Sequence, residues 1–248
     1  MFSLYRSALT LSMSGLFAIG ICAANAQTYD ASADFDPNSN PSTVNGGTFS
    51  YGFENTLGTG FTLFTNTTAG QPYSNASIKG FTTSTGLPFV MQNTSNSSQT
   101  IPTTAIVLQS KQLVMHPSST GQFAIIRFTA PTNGTYSLNS VFTGIDNGAG
   151  TTTDVHVLLN NVQLFGGNVT GLGSTQSYAP AAQSLTAGST LDFAVGFGTD
   201  GNNSADSTAL AATITRANQA PATPEPGSIA LLAGFALSGG LFLKRRKK

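Results

Sequence analysis

The chain has 248 residues, of which only 8% are charged, and it carries one cysteine and no tryptophan. Ten acids balance ten bases, but Arg6 and the terminal run Lys244, Arg245, Arg246, Lys247 and Lys248 hold six of the bases; between Gln27 and Glu225 four cations face ten carboxylates, a net charge of −6. A surface of that sign repels phosphate backbones, which excludes nucleic acid as a partner.

Residues 1–26, MFSLYRSALTLSMSGLFAIGICAANA, contain one cation, an uncharged apolar stretch from Ala8 to Ala24, and then Ala24-Asn25-Ala26. That order is a secretory signal peptide with a small-x-small site, so signal peptidase is expected to cut after Ala26. Cys22 follows the bulky Ile21, which does not suit a lipidation box. Because Cys22 is the lone cysteine, the processed chain has none, and disulfides, zinc–thiolate sites and cysteine nucleophiles are excluded from it.

From Gln27 onward there is no helical period of any length. Short alternating or β-branched runs end in Gly, Asn, Pro or Ser about every ten residues, which predicts an all-β domain over 27–215, an antiparallel β-sandwich. In the first half TFSYGFE, GFTLFT and LPFVMQ are expected strands, and TNTTAG and QNTSNSSQT are expected loops. In the second half the strands are GQFAIIRFTA, TYSLNSVFTG, TDVHVLL, VQLFGGNV, LDFAVGFG and TALAATIT. Asn160-Asn161 reads as a tight hairpin turn, since asparagine tolerates positive φ. Pro131-Thr132-Asn133-Gly134 reads as the turn closing the hairpin before it. The stretch RFTAPTNGTYSLNSVFTG resembles jelly-roll modules of exported bacterial proteins, carbohydrate-binding modules among them. That resemblance implies a jelly-roll-like sandwich and assigns no site.

Few residues in the body carry chemistry. Alternation along TDVHVLL puts Val155, Val157 and Leu159 on one face and Asp154, His156 and Leu158 on the other, so Asp154 and His156 form a candidate ligand-binding pair. His116, before Pro117, marks a strand end. In DGNNSAD, Asp200, Asn202, Ser204 and Asp206 place oxygens at alternate positions, a candidate Ca²⁺ loop, although the glycine of an EF loop is replaced by Ala205 and no bidentate Glu follows. IDNGAG around Asp146 is a sparser version of the same pattern. No other cofactor is expected. Without tryptophan, sugar stacking falls to tyrosines, with Tyr51 and Tyr136 as candidate platforms beside Tyr73 and Tyr178. Glu54 is the only glutamate of the folded body, which disfavours a paired-carboxylate hydrolase, and no enzyme activity is expected.

Residues 216–223 form a Pro/Ala linker. Pro224-Glu225-Pro226 is held extended by two prolines. Ser228–Leu243 is an uncharged run of 16 residues, about 24 Å long as a transmembrane helix, and its basic flank, Lys244 to Lys248, keeps the terminus cytoplasmic. In this order the three elements of 224–248 resemble the PEP-CTERM sorting signal of Gram-negative bacteria. The resemblance implies an exosortase as the processing partner, the inner membrane as a transient anchor, and a final place at the cell surface or in the extracellular matrix. The expected function is therefore an exported surface or matrix-associated protein without catalysis; the alternative is a polysaccharide-binding module delivered by the same route.

Overall fold

The computed structural model describes residues 26–218, apart from 71–72, 102–103, 105 and 149–150. Ala24, the expected PEP-CTERM signal and the expected transmembrane segment lie outside the described residues. Among the described residues no helix is long and apolar enough to cross a membrane.

Residues 26–217 form one unit. The first half contributes β1 (Gln27–Asp30), β2 (Phe49–Glu54), β3 (Thr62–Leu63), β4 (Asn66–Gly70), β5 (Asn75–Thr82), β6 (Phe89–Asn93), β7 (Gln99–Thr100) and β8 (Val107–Leu108). The second half contributes β9 (Leu113–His116), β10 (Phe123–Thr129), β11 (Gly134–Gly144), β12 (Thr153–Leu159), β13 (Val162–Val169), β14 (Thr175–Tyr178), β15 (Gln183–Leu185), β16 (Thr190–Gly196) and β17 (Thr208–Arg216). One sheet runs β14-β11-β17-β9-β6-β5-β4, with β15 beside β11 and β1 beside β17; the other runs β13-β12-β16-β10-β2-β3. All these pairings are antiparallel. The two sheets bury a common core, so the expected antiparallel sandwich is what the chain forms.

The core follows from strand alternation. Leu210, Ala212 and Ile214 of β17 point inward from one sheet, and Ala124, Ile126 and Phe128 of β10, Val155 and Val157 of β12, and Phe193 and Val195 of β16 meet them from the other. Aromatic pairs thicken this layer. Tyr51 stacks on Phe81 at 5.3 Å, Tyr29 leans on Phe128 at 5.1 Å, and Phe142 faces Phe193 at 6.5 Å, each pair adding about 0.5–1.5 kcal/mol beyond area burial. The opposite parity of the first sheet builds a second apolar layer on its outer side: Phe89 and Met91 of β6, Val114 of β9 and Ala209 of β17 are covered by Tyr73, Ile101, Ile106 and Leu108.

Four expectations are corrected. QNTSNSSQT is not all loop, because Gln92 and Asn93 end β6 and Gln99–Thr100 pairs with β8 as β7. TNTTAG is not a loop, because Asn66–Gly70 pairs with β5 as the edge strand β4; an edge strand facing solvent needs no apolar alternation, so its polar sequence hid it. Pro131–Gly134 does not close a hairpin. It carries the chain from β10 in one sheet to β11 in the other, where their partners differ. Arg216 is the last residue of β17 and not the first of the linker. The Asn160-Asn161 turn is formed as expected, with φ of 49° and 68°.

The register defines two ends of the sandwich. Gln27 pairs with Arg216 at one end. At the other, Gly144 pairs with Thr208, Phe89 with His116, and Asp154 with Gly196. Segments 55–61, 83–88, 117–122, 145–152 and 197–207 leave their strands at this second end, the loop end.

Candidate functional site

β9 stops at His116 because Pro117 cannot continue a ladder, and β6 begins at Phe89 directly opposite. Both side chains project to the outer face of their sheet, and their rings lie 5.2 Å apart at 24°. Tyr73 meets Phe89 edge-on at 5.5 Å, and its hydroxyl shares a 3.1 Å hydrogen bond with Ser207 Oγ. These rings, with Asp146, Asn203 and Ser204, line a cavity of about 360 Å³, within the range of small-ligand sites.

The polar groups of the cavity present hydrogen-bond acceptors to a ligand. Burial holds the His116 imidazole below its ordinary pKa, so it is neutral at pH 7. Its Nδ1 lies 2.8 Å from the Pro117 carbonyl and donates to it, which leaves Nε2 as an acceptor. Burial raises the Tyr73 phenol, and the nearby Asp146 charge adds to the effect. Asp146 is 9% exposed, and its Oδ1 accepts from the Gly148 N–H at 3.0 Å. The Asn203 amide reaches the Pro117 carbonyl at 3.4 Å and ties the 197–207 loop to the end of β9.

That loop has its own anchors. Gly198 sits at φ +72°, and a Cβ there would lie 1.5 Å from the Thr152 carbonyl oxygen. Its N–H donates to Asp154 Oδ1 at 2.8 Å, while Asp154 Oδ2 is 2.8 Å from His156 Nε2. Burial pushes the Asp154 carboxyl up, but the His156 and Gly198 hydrogen bonds outweigh it and hold the pKa below the usual range. The Asp154–His156 pair, expected as a ligand site, thus works as a clip for the loop.

Three of the four expected calcium residues hydrogen-bond one another within the loop. Asp200 Oδ1 and Oδ2 accept from the backbone and side-chain N–H groups of Asn202, and Asn202 Oδ1 accepts from Ser204 N–H. These are Asx turns. Asp206 turns inward, 1% exposed, with Oδ1 accepting from Thr153 Oγ1 at 3.0 Å and Oδ2 unpartnered. Burial raises its pKa to about 6, with Thr153 opposing and the charges of Asp200 and Asp154 adding. Among the described residues no group of three or more His, Cys, Asp or Glu is placed to hold a metal ion.

Tyr51 and Tyr136 are not sugar platforms: alternation on β2 and β11 turns both into the core, where they are 0% and 3% exposed. Tyr178 stacks on Phe165 at 5.1 Å. A paired-carboxylate constellation does form, though not as an open site. Glu54 and Asp192, both with fully buried side chains, flank Arg127, which bonds Asp192 at 2.6 and 2.7 Å and lies 3.6 Å from Glu54. Phe61 covers the guanidinium at 4.0 Å.

A scan against protein-family models finds no match, and neither does a search of curated proteins. Among solved structures the chain is similar to carbohydrate-binding modules of several families. A family 51 module from Clostridium perfringens in complex with methyl-galactose is 15% identical, over 62% of this chain and 94% of that one, with a TM-score of 0.33. A family 35 module from Clostridium thermocellum is 11% identical over 78% and 100%, with a TM-score of 0.30. The C-terminal family 6 module of a laminarinase from Zobellia galactanivorans is 9% identical over 62% and 93%, with a TM-score of 0.25. At such scores the likeness assigns neither a site nor a ligand.

Of the cavity residues, Tyr73 and His116 drew attention in the sequence, Ser204 did so as a candidate calcium residue, and Asp146 only as a sparse oxygen loop. Phe89 and Asn203 carried no signal. Phe89 and His116 meet through the strand register, and Tyr73, Asp146 and Asn203 reach the cavity from loops.

Proposed function

We propose that the protein is exported, sorted at the envelope through Pro224-Glu225-Pro226, and binds carbohydrate in the loop-end cavity of a jelly-roll-like sandwich, with no chemistry of its own. The observation that supports the binding reading is the pairing of an aromatic wall, Tyr73, Phe89 and His116, with the Asp146 carboxylate. Sugar rings present C–H faces that pack on aromatic surfaces and hydroxyls that donate to such acceptors.

Titration calorimetry with fragments of extracellular polysaccharide tests the binding reading. Asp146→Asn removes a charged acceptor and should weaken binding about ten- to a hundredfold, while the melting temperature stays unchanged. Equal affinity in the two proteins would place the ligand elsewhere. Intact mass of the exported protein tests the sorting reading: loss of the KRRKK terminus is expected, and its retention refutes processing.

A further inference from the structure

A second, larger hollow of about 510 Å³ adjoins the cavity. Leu87 lines both. Across Pro117 the chain also serves both, with His116 in the cavity and Ser118 in the hollow. The hollow has a different chemistry: Thr83 and Thr85 from one loop, Ser118 and Thr120 from another, then Gln122 and Phe53. Among its described lining residues none is charged. Its hydroxyls are fixed in advance: Thr83 Oγ1 lies 2.9 Å from Thr85 Oγ1 and both donate to the Leu87 carbonyl, while Ser118 Oγ lies 2.7 Å from Thr120 Oγ1. Gln122 Nε2 donates to Asn55 Oδ1 at 2.8 Å, which holds its carbonyl end in place.

We infer that the cavity and this hollow are successive subsites for one polysaccharide chain, the hollow taking a neutral, hydroxyl-rich unit next to the unit held by Asp146 and the aromatic wall. The inference rests on the carbohydrate reading of the cavity. Two half-sites separated by one leucine side chain suit a linear polymer bound along its length and not a single terminal sugar. Uncharged hydroxyl oxygens and an amide carbonyl accept from the hydroxyls of a neutral sugar edge without selecting an ion.

The test is titration calorimetry with length series of one to six units cut from one neutral and one acidic polysaccharide. Affinity should rise about tenfold or more between one and four units, as hydrogen bonds in the hollow are added, and then level off. Ser119→Trp and, separately, Ser84→Trp place bulk at exposed rim positions of the hollow. Both variants should keep the wild-type melting temperature and monosaccharide affinity while erasing the gain with length. Equal affinity for one and six units, or a length gain untouched by both tryptophans, overturns the two-subsite inference and leaves the cavity reading standing. Failure of every saccharide to bind overturns the cavity reading, and the inference with it.

Discussion

Replacing Arg127 by methionine removes the cation that lies between two buried acids. Arg127 donates through Nε and one terminal nitrogen to both oxygens of Asp192 at 2.6 and 2.7 Å, and lies 3.6 Å from Glu54. Both acid side chains are 0% exposed. Burial raises the pKa of Glu54 and of Asp192, and Arg127 is among the groups that pull each back down. Methionine keeps much of the volume over Phe61 but leaves two uncompensated carboxylates. Breaking a buried pair in this way costs about 3–5 kcal/mol, and loss of the contact with Phe61 adds about 0.5–1 kcal/mol. For a domain of this size, the melting temperature should fall by roughly 10 °C at pH 7, and the urea midpoint by about 1–2 M. The pH dependence has a definite sign. Each acid has a folded pKa above its unfolded value, so the native state takes up protons as the pH falls, and stability is regained below the folded pKa. Urea unfolding of both proteins at pH 7 and pH 4.5 should therefore show a smaller gap in acid. The triple variant E54Q/R127M/D192N should recover most of the loss at pH 7. A gap below about 1 kcal/mol at pH 7, or one unchanged by acid, would refute the reasoning.

Asp206→Asn should stabilise the protein at pH 7 by about 1–3 kcal/mol, because a group whose pKa rises from 3.8 to about 6 on folding penalises the native state once it ionises. That gain should shrink toward pH 4 in thermal melts; a pH-independent difference would count against it. Gly198→Ala should cost more than about 2 kcal/mol, since it adds a Cβ against the Thr152 carbonyl at positive φ, and calorimetry should show carbohydrate affinity falling with it. Phe193→Ala should cost about 3–5 kcal/mol in urea unfolding, as Phe193 is fully buried between the sheets.

What the sequence disclosed divides along physical lines. Strands of the second half announce themselves because one face is buried: in β12, Val155 and Val157 enter the core while Asp154, His156 and Leu158 lie on the other face, as the alternation requires. Asn160-Asn161 is equally legible, since positive φ is a local demand. Pairing is not local. Pro131–Gly134 has the chemistry of a turn whichever sheet receives the next strand, and its sheet-to-sheet course appears only in the register. β4 hides in polar residues because it sits at an edge, and the buried Glu54–Arg127–Asp192 group hides because three strands bring it together. The cavity is the extreme case: Phe89 looks like any core phenylalanine until His116 is placed across from it.

The same register bears on how delivery and binding fit together. β1 and β17 are paired from Gln27 and Arg216, so the chain enters and leaves the sandwich at one end. The cavity and the hollow lie at the other end, where Thr208 begins β17. The nine residues of β17 span roughly 30 Å between these ends. Under the proposed sorting, any attachment that follows Arg216 joins the sandwich at the end remote from the loops. Gln27 and Arg216, the residues nearest to the proposed leader and sorting signal along the chain, are thus separated from Asp146, His116 and the 197–207 loop by the length of the sheet.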